Sequence, residues 1–406
     1  MRVELKKYGR FARGSMVNNM FKIKLMNKIA KVGTDVFPPA KYMLDANVTD
    51  EDAIMVRSAS LHEMEFVKTL CAIARCGAGV NNIPIEKCTE KGIVVFNTPG
   101  ANANAVKELA VAALILASRD VVGGVEWVKS LKGQDGIAKL VEQGKSAFVG
   151  HELAGRTLGV IGLGAIGGMV ANVAISLGMR VVGYDPYITA KAAWSLAPSV
   201  NQASDYMEIF KTCDYITLHV PATPQTKNII CEKSIAEMKN GVRILNLSRA
   251  DLVDAEALKA GLANGKIAAY VTDFPTDETV GIDGIIAIPH LGASTVESED
   301  HCAVMAAQQL DEFLTCGNIR NSVNFPTVGI PRSEKPRVCI MNKNVPNMLS
   351  QITSAFSVQN INIENLANGS KGEVAYTIVE TNVAPSKDIL DNLAKIEGVF
   401  AVKAYS

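Results

Sequence analysis

Three residues far apart in the chain, Arg249, Glu278 and His290, are of the types that together could clamp a carboxylate, take a proton and support the base that takes it. Arginine's planar fork holds a carboxylate by paired hydrogen bonds, and its charge cannot be titrated away. Imidazole is the side chain best suited to accept a hydroxyl proton near neutral pH. A carboxylate on the other ring nitrogen would fix the tautomer and raise the imidazole's proton affinity. Spacing alone leaves other roles open. Arg249 equally suits an ion pair with Asp251 or Asp254, and a lone histidine such as His290, one of five, is commonly structural.

A second pattern supplies a candidate site for a cofactor. The run Thr157-Leu-Gly-Val-Ile161 enters the turn Gly162-x-Gly164-x-x-Gly167 and leaves as a helix from Ala165 to about Leu177. These glycines suit a tight turn, a close approach to a pyrophosphate and close packing of helix on sheet, with the helix start facing the phosphates. A second apolar run, Met179 to Tyr184, ends at Asp185, where a carboxylate can bind ribose hydroxyls and disfavour a 2′-phosphate. The pattern predicts an NAD site, against the alternative of an ordinary strand–turn–helix.

The elements that would carry these residues alternate. From about Asp120 to His290 six strand candidates (158–162, 180–185, 215–220, 242–247, 268–273 and 284–289) alternate with helices, which predicts a doubly wound α/β sheet over residues 120–294. Arg249 follows the fourth strand and His290 the sixth, where ligands of such sheets collect. Residues 21–119 predict a smaller parallel α/β domain with strands at 53–56, 72–74 and 93–96, completed by about 295–325. Ser60-Leu-His-Glu63 reads as a capping box opening a helix toward Leu70, and 102–118 as a buried helix. Two turns could face a ligand: Arg57-Ser58, and Cys76 to Asn82 with Gly77, Ala78, Gly79, Val80 and Asn81. Residues 326–336, with three prolines in eleven, read as a linker. The tail 337–406 has the β-α-β-β-α-β order of a ferredoxin-like unit.

The bulk numbers exclude several classes. Lys+Arg 41 against Asp+Glu 41, with no long single-sign run, argues against a nucleic-acid or membrane-surface partner. No apolar run approaches the roughly 18 residues of a membrane span. Eight cysteines show no CxxC pair and no metal-ligand spacing with histidine, so we expect reduced thiols, no metal and a cytoplasmic protein. Residues 1–20 are basic with Glu4 their only acid, and we expect a disordered leader; organelle targeting is the alternative.

The ordered motifs 160–167 (Val-Ile-Gly-Leu-Gly-Ala-Ile-Gly), 218–226, 246–254, 272–278 and 289–295 resemble those of the D-isomer-specific 2-hydroxyacid dehydrogenases, as do 97–103 and 321–326. The resemblance runs from about residue 21 to the end, and is nearest to members that oxidise 3-phosphoglycerate. It implies a Rossmann-type NAD domain, a flavodoxin-like substrate domain and an ACT-type tail. It implies that Arg249 binds and polarises the substrate, that His290 is the acid/base and that Glu278 is its partner. NAD would be held by Gly162, Gly164, Ala165, Ile166, Gly167, Asp185, His219, Pro221, Thr226, Leu247, Ser248, Arg249, Asp273, His290, Gly292 and Ala293. The substrate phosphate falls to Arg57, Ser58 and the turn Gly77–Asn81, with Lys129, Lys139 or Lys145 of a neighbouring subunit as possible additions. One departure stands in Asp273-Phe-Pro-Thr-Asp277-Glu278: counting from the aspartate selects Glu278, while aligning on Phe-Pro-Thr selects Asp277. In the tail, Asn342 and Asn347 stand where amino-acid-sensing relatives carry histidine and glycine. Asn344 and Asn362 remain as effector contacts for L-serine or another amino acid, and purely structural pairing in a homodimer or homotetramer is the rival role. Another 2-hydroxy acid (2-hydroxyglutarate or glycerate) and an NAD-sensing regulator are the other functions the sequence allows.

Overall fold

The computed structural model describes residues 20–405, so the expected leader falls, Met20 apart, outside the described residues. Two compact units divide the described residues, one of 102–298 and one of those before 102 together with those after 298.

The unit 102–298 is built on a seven-stranded parallel sheet: β6 (Thr157–Ile161), β7 (Arg180–Tyr184), β8 (Val200–Gln202), β9 (Tyr215–Leu218), β10 (Val242–Asn246), β11 (Ile267–Thr272) and β12 (Ile285–Ala287), numbered in chain order after β1–β5 below. Their spatial order, β12-β11-β10-β9-β6-β7-β8, reverses direction of winding at β6, the doubly wound arrangement. β6 and β9 are buried along their whole length, as strands covered on both faces must be, and their residues are accordingly apolar and β-branched. The expected six strands are present, and β8, a three-residue edge strand, is an addition. The helix Ala103–Ser118 belongs to this unit, not to the domain of residues 21–119 in which the sequence placed it. The reason is its stripe Val106, Ala110, Ala113, Leu114 and Ala117, which packs with Leu158, Val160, Leu245 and Val271 in one core. Ser118 also shares a hydrogen bond of 2.8 Å with the Tyr215 hydroxyl.

The other unit carries a five-stranded parallel sheet of β1 (Phe21–Leu25), β2 (Tyr42–Asp45), β3 (Ala53–Val56), β4 (Ala72–Arg75) and β5 (Val94–Phe96), in the flavodoxin-like order β2-β1-β3-β4-β5. The helix expected from the capping box at 60–63 does not form. Residues 60–70 run as an irregular loop, pinned by the buried side chains of Leu61, Phe66 and Leu70 and by Thr69, whose hydroxyl donates to Glu51 O. The first turn of the helix Val296–Cys316 is capped by Thr295 Oγ1, which accepts from Ser298 N.

The tail folds as β13 (Arg337–Lys343), helix Met348–Ser357, β14 (Ile363–Lys371), β15 (Val374–Thr381), helix Lys387–Lys395 and β16 (Val399–Tyr405), an antiparallel sheet in the order β14-β15-β13-β16. Strand alternation divides its two faces. Val338, Ile340 and Val379 point to the tail's own helices, while Cys339, Met341, Tyr376 and Ile378 join the core of the five-stranded sheet. Residues 326–336 are therefore not a free linker. Ile319 pairs with Val328, and the wholly buried Arg337 guanidinium donates to Cys316 O, Asn318 Oδ1, Ile330 O, Pro331 O and the Glu380 carboxylate. A buried charge is tolerated only with such partners, which explains why a proline-rich stretch is held tightly here.

Candidate functional site

The glycine turn follows β6 and is shaped by steric necessity. Gly162 has φ +92°, and a Cβ there would lie 2.5 Å from His219 O; a Cβ on Gly167 would lie 1.8 Å from Gly162 O. Gly164, by contrast, faces open space. The helix Ala165–Ser176 begins without a side-chain cap, so the N–H groups of Ala165 and Ile166 have no side chain across them. Asp185 ends β7 with both oxygens on backbone, Oδ2 accepting from Leu163 N and Oδ1 from Tyr187 N, each at 2.9 Å. That fixes a half-buried carboxylate just after the strand.

At the end of β9, His219 bonds Thr217 Oγ1 through Nε2 at 2.9 Å, while its buried Nδ1 has no partner. Burial pushes this imidazole down to about 4, so it is neutral at physiological pH. Pro221 is exposed, and its carbonyl accepts from Thr226 Oγ1 at 2.6 Å, so the Thr226 hydroxyl closes its own loop.

The ends of β10 and β11 carry the reactive residues. The buried Asn246 accepts from Ser248 N and Arg249 N and donates to Arg249 O, while Ser248 Oγ donates to Leu218 O. Buried Leu247 anchors the same turn, which leaves the Arg249 side chain in the open. Its guanidinium lies 5.4 Å from the centre of the Phe274 ring. The His290 ring lies 4.5 Å from the same ring, tilted by 48°. His290 has φ +46°, and its N–H donates to Asp273 O and Ile288 O. Asp273 is buried, its Oδ2 accepting from Gly292 N at 2.9 Å and its Oδ1 without a partner. Burial pushes the Asp273 carboxyl up, against the pull of Gly292 N, His290 and Arg249. A Cβ on Gly292 would stand 2.8 Å from Asp273 Oδ2, so only glycine allows that contact. Ala293 follows, half-buried.

Arg249, Asp273 and His290 thus meet around Phe274, a residue that the sequence showed only as a departure from a motif. Glu278 stands apart in this structure: it is exposed, bonded by the Thr276 side chain, which holds its carboxyl below the usual value, and no hydrogen bond links it to His290. The neighbouring Asp277 is exposed as well.

The two turns expected to face a ligand lie in the other unit. Arg57 N and Ser58 N both donate to Asn27 Oδ1, and the Arg57 guanidinium pairs with Glu299 at 2.5 Å. In the turn Gly77–Asn81 the carbonyls of Gly77, Ala78 and Asn81 accept from Thr98 N, Asn97 Nδ2 and His62 Nε2. Among the described residues no acceptor takes the N–H groups of Ala78, Gly79, Val80 or Asn81. The Arg75 guanidinium, which the sequence reading passed over, lies against Gly77. Of the three lysines considered for a neighbouring subunit, Lys129 pairs with Glu126 and Lys145 with Glu142, and Lys139 is exposed. In the tail, Asn344 Nδ2 donates to Gly372 O, Asn362 N donates to Asn382 Oδ1, and Asn347 adopts φ +69°.

The described residues hold no cluster of His, Cys, Asp or Glu suited to a metal. A dinucleotide fits the nucleotide-side residues: open space over Gly164, an uncapped helix start, and the buried, unpartnered Asp273 Oδ1 and His219 Nδ1.

The family described as D-isomer specific 2-hydroxyacid dehydrogenase, NAD binding domain, matches residues 111–292. A D-3-phosphoglycerate dehydrogenase of Methanocaldococcus jannaschii is 36% identical over 75% of this chain, and the match spans 58% of that relative's length. A hydroxypyruvate reductase of Thermotoga maritima is 37% identical over 65% of this chain and 85% of its own. Among solved structures, the NAD⁺-bound 3-phosphoglycerate dehydrogenase of Entamoeba histolytica superposes with a TM-score of 0.59 at 27% identity, covering 75% of this chain and 99% of that one.

Proposed function

The chain belongs to the D-isomer-specific 2-hydroxyacid dehydrogenases, with an NAD-binding domain in its unit 102–298, and on that premise we propose that it is an NAD-dependent D-3-phosphoglycerate dehydrogenase. It would oxidise 3-phosphoglycerate to 3-phosphohydroxypyruvate, the first step of L-serine synthesis. The observation that carries this reading is the placing of Arg249 and His290 against one ring, Phe274, beside the buried Asp273.

Bound NAD would supply the hydride acceptor. Gly162 to Gly167 would hold its pyrophosphate, Asp185 its ribose, and His219, Pro221 and Thr226 its adenosine side. Asp273 Oδ1, the backbone of Leu247 to Arg249, Gly292 and Ala293 would line the nicotinamide end. Arg249 would clamp the substrate carboxylate, and His290 would take the hydroxyl proton. Glu278 would support His290 once substrate draws its loop, since catalytic hydrogen bonds often tighten only in the complex. Arg57, Ser58 and the N–H groups of 78–81 would hold the phosphate. The tail would bind an amino acid such as L-serine through Asn344 and Asn362. Exposed Val121, Val125 and Val128 on the helix Val121–Ser130 support a homodimer or homotetramer. Eight unpaired cysteines, six of them buried, support a cytoplasmic setting.

The Arg57–Glu299 pair favours one rival, since a guanidinium already facing a carboxylate suits an unphosphorylated acid too. Measuring NADH formation from 3-phosphoglycerate, glycerate and 2-hydroxyglutarate, with and without L-serine, separates them. Preference for 3-phosphoglycerate is the expected result. Turnover of glycerate alone would overturn the phosphate assignment, and no NADH from any hydroxy acid would point to a nucleotide-sensing regulator.

A further inference from the structure

Asn27 follows β1 and Arg57 follows β3, strands that pair in parallel through Leu25 and Met55. Met26 N donates to Met55 O at 3.0 Å, which brings the two strand ends side by side. One amide oxygen, Asn27 Oδ1, then accepts from three successive N–H groups, those of Arg57, Ser58 and Ala59, each at 3.0 Å. We propose that Asn27 is a positioning residue for substrate binding, acting through Arg57. The proposal rests on the reading above that the 57–58 turn holds the anionic end of the substrate.

The two turns differ in polarity. The turn at 77–81 has its carbonyls tied back by Thr98, Asn97 and His62, and so turns N–H groups toward a ligand. The turn at 57–59 is built in the opposite sense. Its N–H groups are drawn back onto Asn27, so it offers an anion only the Arg57 guanidinium and the Ser58 hydroxyl. A guanidinium on a long side chain recognises a particular oxygen pair only when its own backbone is fixed. Asn27 fixes that backbone, and Glu299 meets the guanidinium from the helix Val296–Cys316. That convergence takes in the N–H of Arg57, the residue of the turn that carries the charge.

The test is a double-mutant cycle on Asn27→Leu and Arg57→Ala, run with whichever of 3-phosphoglycerate, glycerate or 2-hydroxyglutarate the wild type turns over. Asn27→Leu should raise KM for the hydroxy acid about tenfold, the size of one charge-assisted contact, with KM for NAD within about twofold. In the Arg57→Ala background the same change should shift KM by less than about twofold, because the group it positions is gone. Asn27→Asp, which keeps an acceptor for the three N–H groups, should recover most of the loss. Additive effects in the cycle would overturn the proposal. So would a parallel rise in KM for NAD and fall in melting temperature that Asn27→Asp shares. Wild-type turnover of glycerate and not 3-phosphoglycerate would count against the phosphate reading alone, and the cycle would still decide the role of Asn27.

Discussion

The imidazole of His290 packs on the ring of Phe274 at 4.5 Å, and the Arg249 guanidinium lies over that same ring at 5.4 Å. A single aromatic side chain therefore sets the spacing of the two groups assigned to substrate. Ring stacking and a cation–π contact are each worth about 1 kcal/mol. Phe274→Ala should lower kcat by about tenfold or more, with NAD affinity nearly unchanged. Steady-state kinetics with a separate NADH titration checks both, and an unaltered kcat would mean that Phe274 positions neither group.

Arg249→Lys keeps the charge and loses the fork. Hydrogen bonds to charged groups contribute about 1.5–3 kcal/mol, so kcat/KM for the hydroxy acid should fall roughly 10- to 100-fold. The loss should be absent from NADH binding. If kcat/KM holds, the carboxylate clamp lies elsewhere.

Two glycines of one turn should respond in opposite ways. Gly164→Ala places a methyl in open space, so melting temperature should hold while NAD affinity falls through the lost close approach. Gly167→Ala drives a methyl to 1.8 Å from Gly162 O, so melting temperature itself should fall. Thermal melting and NADH titration of both variants make the comparison, and equal behaviour would contradict it.

Burial holds the Asp273 carboxyl above its ordinary value of 3.8. The folded state then binds this proton more tightly than the unfolded chain does. Its contribution to stability is whole below pH 3.8 and is lost as pH rises through the folded value. Asp273→Asn cannot ionise, so it should melt higher than wild type at pH 7, with the gain vanishing in acid. An equal offset at both pH values would show that ionisation is not the cause. Activity should fall in the same variant, since Asp273 Oδ1 is assigned to the nicotinamide end.

What could be read in the sequence followed from local chemistry. Gly162, Gly164 and Gly167 announce a nucleotide turn because Gly162 and Gly167 answer local steric demands while Gly164 leaves its space open, and the apolar runs around them announce buried parallel strands. The edge strands β2 and β8 went unseen because neither shows a clean alternation of apolar and polar residues. The capping box at Ser60 misled because the loop's neighbours decide its shape: His62 is bonded to Asn81 O, and Asn27 draws the preceding turn inward. The role of Phe274 lay equally beyond reach, since its two contacts come from residues 25 positions before and 16 after it. The tail was legible as a β-α-β-β-α-β unit, but its docking was not, because strand alternation marks a second apolar face without saying what covers it.

Whether His290 takes the substrate's hydroxyl proton is decided by the turnover of His290→Asn set against its NAD affinity. The kcat of this variant should be lower by roughly 10² to 10⁴, with the dissociation constant for NADH within about twofold of wild type. A variant that turns over at the wild-type rate would contradict this and remove the imidazole from the chemistry.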